Sequence, residues 1–387
     1  MQPTRMLGLA FCALALAACS DQTVTSAPAR TATAPLRSAA PGRGVTGEYI
    51  VVLKEGADAR GLAASVSATP KAVFTATLNG FAARLSAGQL NALLHDPAVD
   101  YVEQDQTTKA AATQANPPWG LDRIDQRNLP LSASYTYNVS GSGIRAYIID
   151  SGIETTHPAF SGGAVNVYDA FGGTGEDCFG HGTHVAGIVA RTTLYASAKG
   201  AQPLGVRVLD CTGYGTVTDL IAAVDWVRLN RVNPAVANIS ITAPLSTSLN
   251  TAVNNLANSG VFVAVAAGDD NVSACNVSPA SAASAITVAA SDAADWRATW
   301  SNYGSCVDIY APGVDILSLW LGGTTATVSG TSQASAFAAG VGALYKGQYG
   351  QVTSATIHSW IVTNATLNYI KGNASGTPNR LLWKGLL

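Results

Sequence analysis

From Ile144 onward, short apolar runs alternate with helical patterns, and that alternation leaves the chain few architectures. Ile144–Asp150 (IRAYIID) reads as a buried strand. Leu204–Leu209 is followed by the helix pattern Val217–Asn230, Val236–Ile241 by Leu249–Ser259, and Val261–Ala267 by a loop. Such alternation favours an α/β fold, a parallel sheet covered by helices on both faces. Sites in these folds lie beyond the carboxyl ends of the strands, and Asp150 ends the first of them. The order of the strands is not contained in these patterns.

Val328–Gly340 (VSGTSQASAFAAG) brings the chain through Gly330 to Ser332 and then into a charge-free run of Ala, Gly and Phe that reads as a helix buried on all sides. Ser332 thus stands at a helix N-terminus. Backbone N–H groups and the positive end of the helix dipole there suit a nucleophile whose attack creates an oxyanion. Alone, such a stretch is usually just a capped helix, because Ser is a preferred N-cap. Phe179–Ala190 (FGHGTHVAGIVA) adds His181, between two glycines at the start of another nearly charge-free helix. A serine hydroxyl needs a neutral imidazole to take its proton and a carboxylate to hold that imidazole in the right tautomer, which His181 and Asp150 would supply.

These three motifs, in the order Asp, His, Ser, together with Asn302–Gly313 (NYGSCVDIYAPG), resemble those of the subtilase family. The four cysteines from Cys178 onward resemble its aqualysin-type branch within the proteinase K group. The resemblance implies a subtilisin-like fold and a serine endopeptidase with Asp150, His181 and Ser332 as catalytic residues. It places peptide-binding edges at Gly213, Tyr214 and Gly215 and at Ser240, Ile241 and Thr242, with a primary pocket wall at Ala266, Ala267 and Gly268. An extended peptide pairing with such edges leaves alternate side chains to fill pockets, and apolar walls imply an apolar or aromatic preference. Structural calcium is implied too, held by the Asp308 carboxylate with the carbonyls of Ala283 and Ala285, and by Asp122, Asp125 and Gln126 in Trp119–Gln126. Cys178, Cys211, Cys275 and Cys306 match no zinc spacing and read as disulfides in an exported chain. Their spacing permits three pairings; the resemblance favours Cys178 with Cys211 and Cys275 with Cys306.

The N-terminal part reads as export and control. Residues 1–19, with Arg5 before an apolar run too short to span a bilayer, form a signal peptide. Leu16–Cys19 (LAAC) fits a lipoprotein cleavage box that would acylate Cys19, and equally an ordinary signal-peptidase site. Residues 20–46, rich in Ala, Thr, Pro and Ser, read as a disordered linker. Within residues 47–110, strands are expected at Tyr49–Leu53, twice in Ala72–Leu85 and at Val99–Val102, and helices at Ala59–Ser67 and Ala87–His95. This module, with VEQD at Val102–Asp105, resembles the inhibitory propeptide of subtilases, which implies a folding template that then occupies the cleft; an independent binding module is the alternative. Thr107–Gln114, with Lys109 and a run of alanines, reads as the cleavable join, and the catalytic domain as 111–387.

A net charge of −2 excludes nucleic-acid binding through a basic surface, and no His-Glu-x-x-His string marks a zinc protease. His184, beside His181, reads as structural. The chain departs from the family pattern at Asp269, where the residue after Gly268 is usually an Asn that donates to the oxyanion. It departs again at Ile241-Thr242-Ala243, at Gln333 in place of Met, and at Ala336-Phe337. An ionised Asp269 would repel the developing charge, whereas a neutral one would donate. The expected function is a secreted, monomeric, self-processing serine endopeptidase. The rival is a degenerate relative that binds peptide or its own propeptide with weak or self-cleavage-only activity.

Overall fold

The computed structural model describes residues 33–39, 44–107 and 112–387. The signal peptide, Cys19, Lys109 and Ala111 lie outside them. The chain divides into two compact units, one centred on Val45–Asp105 and one on Gln106–Leu387.

In the smaller unit, strands run in the order Leu36–Arg37, Val99–Gln106, Gly44–Leu53, Gly80–Arg84, Pro70–Phe74. Helices Ala59–Ser65 and Ala87–Leu94 complete it, the first capped by the Asp58 carboxylate and the second by a reciprocal Ser86–Gln89 capping box. Alternate residues Val51, Leu53, Phe81 and Ala83 point inward against Leu93, Val99 and Val102, so the period-two pattern becomes one core. The expected elements are all present. The stretch read as a structureless linker differs at its end: Leu36–Arg37 pairs in parallel with Val102–Glu103, Arg37 lies 3.5 Å over the Tyr101 ring, and Gly44–Thr46 open the strand Gly44–Leu53. Backbone pairing at a sheet edge needs no apolar periodicity, so composition alone does not reveal it.

The larger unit is built on a nine-stranded sheet ordered Thr366–Leu367, Arg380–Leu381, Ile309–Pro312, Ile286–Ser291, Phe262–Ala266, Ala235–Ile239, Arg145–Asp150, Gln202–Arg207, Val165–Asp169. All neighbours are parallel except the outermost pair, Thr366–Leu367 with Arg380–Leu381. Strand residues face opposite layers in turn. Ile148, Phe262 and Ala264 pack under helices His181–Val189 and Thr331–Tyr349, whereas Tyr147, Ile149, Val263 and Val265 pack under Val217–Asn230 and Thr247–Asn258. The strand expected at Leu204–Leu209 lies two residues earlier, at Gln202–Arg207. Ile286–Ser291 and Ile309–Pro312 follow loops rather than helices, which hides them from a reading based on alternation.

Helix Thr331–Tyr349 is buried from Thr331 through Lys346. Small residues allow this: a Cβ on Gly342 would stand 2.1 Å from the Phe262 ring. Beside strand Ile309–Pro312, helix Trp119–Asp125 inserts Arg123, which donates to the Asp295 carboxylate at 2.7 and 3.1 Å and to the carbonyls of Gln126 and Arg127. Both charges are buried. Arg123→Met would strand the Asp295 carboxylate, a change that costs about 3–5 kcal/mol. Denaturant unfolding of the Ser332→Ala chain with and without Arg123→Met should show it; a loss under about 1 kcal/mol would mean that Asp295 finds water or another donor.

Candidate functional site

Strand Arg145–Asp150 carries Asp150 to its carboxyl end, fully buried. Asp150 Oδ1 accepts from the Ser151 N–H at 2.7 Å and pairs with His181 Nδ1 at 2.8 Å, while Oδ2 has no partner. His181 opens helix His181–Val189, directly after Gly180 at φ +106°. Asp177 sets that start. Its carboxylate accepts from the N–H groups of Phe179, Gly180 and Thr183 and from the hydroxyls of Ser151 and Thr183. Burial pushes the His181 imidazole down, but Asp150, by charge and hydrogen bond, with Asp177 and Asp269 behind it, leaves it above its ordinary value.

Ser332 lies in the first turn of Thr331–Tyr349, which packs on the His181 helix. Its hydroxyl donates to the Ser240 carbonyl at 3.0 Å. Asp269 stands beside it; the residue as a whole is exposed, while its carboxyl turns in to Thr331. Its Oδ1 accepts from the Thr331 N–H at 2.9 Å and from the Thr331 hydroxyl at 2.7 Å. Desolvation raises the Asp269 carboxyl, and the Thr331 donors only partly offset this.

The loop that carries Asp269 is wrapped by buried Asn302, whose amide donates to the Ala267 carbonyl and whose Oδ1 accepts from Asp270 and Val272 N–H. No local pattern in the sequence marks a role for Asn302 or Asp177. The only hints were the Asn302-Tyr303-Gly304 string and an acid four residues before His181. Ser240, Ile241 and Thr242 follow strand Ala235–Ile239, and a cavity of about 180 Å³ between Gly215 and Ile241–Thr242 brings the two expected peptide edges together. The Tyr214 side chain is exposed; Ala266 and Ala267 are buried beside Gly268, whose N–H donates to Thr331 Oγ1.

His184 is buried, with Nε2 at 3.1 Å from the carbonyls of both Ile316 and Ala326, and burial pushes it down to about 4. It is a structural histidine. The disulfides join Cys178 to Cys211 and Cys275 to Cys306.

Asp308 lines a cavity of about 230 Å³ with Ala283 and Ala285; its Oδ2 accepts from the Thr287 N–H at 2.8 Å and its Oδ1 lies 3.3 Å from His358 Nε2. Asp122 accepts from Ser132 and Ala133, Asp125 from the Thr136 N–H and the Lys384 ammonium, and Gln126 Oε1 from the Ser132 N–H. In both sets the side-chain oxygens expected to hold calcium already take donors of the chain, and those of Asp122, Asp125 and Gln126 brace a turn. Among the described residues no group of three or more His, Cys, Asp or Glu side chains converges on a metal position.

A mostly parallel sheet with an imidazole held by a buried carboxylate and a serine at a helix start defines the architecture of a serine hydrolase. Residues 141–382 match the subtilase family and residues 48–111 match the peptidase inhibitor I9 family. The chain belongs to the subtilase family and is a serine proteinase with an I9 propeptide. It is 43% identical to an extracellular serine proteinase of Thermus sp. (strain Rt41A), over 98% of this chain and 97% of that protein. It is 44% identical to alkaline serine exoprotease A of Vibrio alginolyticus, over 81% of this chain and 60% of that protein. A crystal structure of a cold-adapted subtilisin-like serine proteinase superposes with a TM-score of 0.68 at 44% identity, over 70% of this chain and 99% of that one.

Proposed function

We propose that the chain is an exported serine endopeptidase, made as a monomeric proenzyme that cuts itself near Ala111. Ser332 Oγ attacks the scissile carbonyl while His181 Nε2 takes its proton and returns it to the leaving amine. Asp150 holds Nδ1–H and balances the imidazolium. Water then hydrolyses the acyl-enzyme by the same route. The Ser332 N–H, at the helix start, supplies one oxyanion donor, and the position of Asp269 is that of the other. The observation that carries this reading is the 2.8 Å bond between His181 and buried Asp150, with Ser332 on the first turn of the buried helix that packs against the His181 helix.

Apolar or aromatic side chains of the substrate would enter the cavity between Gly215 and Ile241–Thr242 and a primary pocket beside Ala267 and Gly268. The I9 module would serve as folding template and inhibitor of its own chain. Calcium held by Asp308 with the Ala283 and Ala285 carbonyls would brace that loop. Extracellular release is supported by the Thermus relative's name and by the leader-like N-terminus. Both named relatives are proteinases, which lends the binding-only reading no support.

A sulfonyl or phosphonyl fluoride should add one covalent group to the processed protein, on the peptide that contains Ser332. Labelling elsewhere, or none on folded and processed protein, would overturn the assignment of the nucleophile.

A further inference from the structure

Gln333 and Asp269 are both departures from the family pattern, and the geometry joins them. The joining begins at His184. Its Nε2 faces two carbonyls, Ile316 and Ala326, so Nε2 carries the hydrogen. A buried neutral imidazole protonated there has a bare Nδ1, which can only accept. Gln333 Nε2 lies 3.4 Å from it. That fixes the Gln333 amide: its NH2 turns to His184, and its Oε1 turns away, buried and with no donor.

The orphaned Oε1 faces the gap at Gly330. The point where a Cβ would sit on Gly330 is 2.7 Å from Gln333 Oε1 and 3.2 Å from Asp269 Oδ2. Two acceptors thus border one gap, with the Ser332 backbone nitrogen 3.7 Å from the same point. On Asp269, Oδ1 already receives both Thr331 donors, which leaves Oδ2 as the oxygen free to carry a proton.

We propose that Gln333 favours a proton on Asp269 Oδ2, and that this neutral acid, in place of the usual amide, donates to the oxyanion of the tetrahedral intermediate. Asp269 is then a catalytic residue and Gln333 its positioning residue. In the resting site Oδ2–H is oriented toward the Gly330 gap; as the carbonyl oxygen gains charge, the same hydrogen turns to it and stays on Asp269. A protonated carboxyl is an established kind of oxyanion donor; here the residue is exposed as a whole, and it is the carboxyl, turned in to Thr331 and the Gly330 gap, that is partly withdrawn from water. The proposal rests on Ser332 as nucleophile and makes the site dependent on pH.

Other charges facing Asp269 act in known directions. The His181 imidazolium favours ionised Asp269, Asp270 disfavours it, and burial, the largest influence, also disfavours it. The sign follows. The Oδ2–H donor is present below the raised Asp269 midpoint and lost as pH rises through it, whereas His181 becomes a competent base as pH rises through its own. Activity is a bell bounded by these two coupled titrations. Where His181 titrates above Asp269, the active form is a minority species, and turnover stays low even at the optimum.

The test compares pH profiles of kcat/KM for the parent, Asp269→Asn, Gln333→Met and the double variant on one peptide. Asp269→Asn should abolish the alkaline fall and gain about 10²- to 10³-fold at the alkaline end. Gln333→Met should move the parent's profile to lower pH and leave that of Asp269→Asn unmoved. An alkaline fall that survives Asp269→Asn, or an equal shift by Gln333→Met in both backgrounds, would overturn the proposal.

A second measurement needs no turnover. In ¹³C-carboxyl-labelled Ser332→Ala protein, the Asp269 resonance, assigned by its loss in Asp269→Asn, should titrate above the ordinary aspartate range and move down with Gln333→Met. An ordinary midpoint would sink the proton-holding role even if Ser332 proved to be the nucleophile. A raised midpoint in a chain without activity would instead put the fault in the proposed reaction.

Discussion

With alanine at Ser332 the proprotein should persist uncut, and kcat on peptides should fall about 10⁶-fold, the scale of loss when the nucleophile of such a triad is removed. The structural cost of the change is small. Ser332 Oγ makes one hydrogen bond, to the Ser240 carbonyl, and the first turn keeps Ser335 Oγ on the Ser332 carbonyl. Losing a single hydroxyl bond costs about 1 kcal/mol, too little to unfold a domain of this size. Loss of processing in Ser332→Ala would therefore report chemistry. Intact masses of parent and variant, followed over time, decide it: the parent should lose the segment before about Ala111 and the variant should not. Processing of both at one rate would mean that another protease does the cutting, or that Ser332 is not the nucleophile.

What the sequence revealed of this site, and what it did not, follows from the range of the interactions involved. The strand that ends at Asp150 and the helix Val217–Asn230 are written in local apolar patterns, so both were legible. So were His181 and Ser332, because glycines and small residues around them mark helix starts against crowded neighbours. Asn302 acts on Ala267, 35 residues away, and Gln333 acts on His184, 149 residues away. Neither partner can be found without the fold. Asp122, Asp125 and Gln126 show the opposite case. Oxygen-bearing side chains in a turn read alike whether they bind a cation or backbone N–H groups, and here Ser132, Ala133 and Thr136 take those oxygens. The sheet order was silent in the sequence for a related reason: crossover connections of similar length reach either side of a strand.

Asp150→Asn should lower the maximal rate about 10⁴-fold while leaving the fold intact, the magnitude found when the acid of a Ser-His-Asp triad becomes an amide. The local bonds explain why the amide has no good orientation. With its oxygen at the Oδ1 position, it keeps the Ser151 N–H and His181 Nδ1–H, but its NH2 falls where buried Oδ2 has no partner and becomes an orphan donor. Flipped, the NH2 opposes the Ser151 N–H and drives His181 to carry its hydrogen on Nε2, the nitrogen that must accept from Ser332. In either orientation the negative charge that balances the imidazolium is gone. The His181 midpoint should fall as well, because burial already pulls it down and Asp150 is the principal group holding it up. The base would then be neutral to lower pH, so the acid limb of kcat/KM should move down as the plateau drops. A structural defect would lower the plateau without moving that limb. A loss of less than about tenfold with an unmoved limb would mean that Asp150 neither orients nor charges the imidazole, and the 2.8 Å contact would then be packing alone.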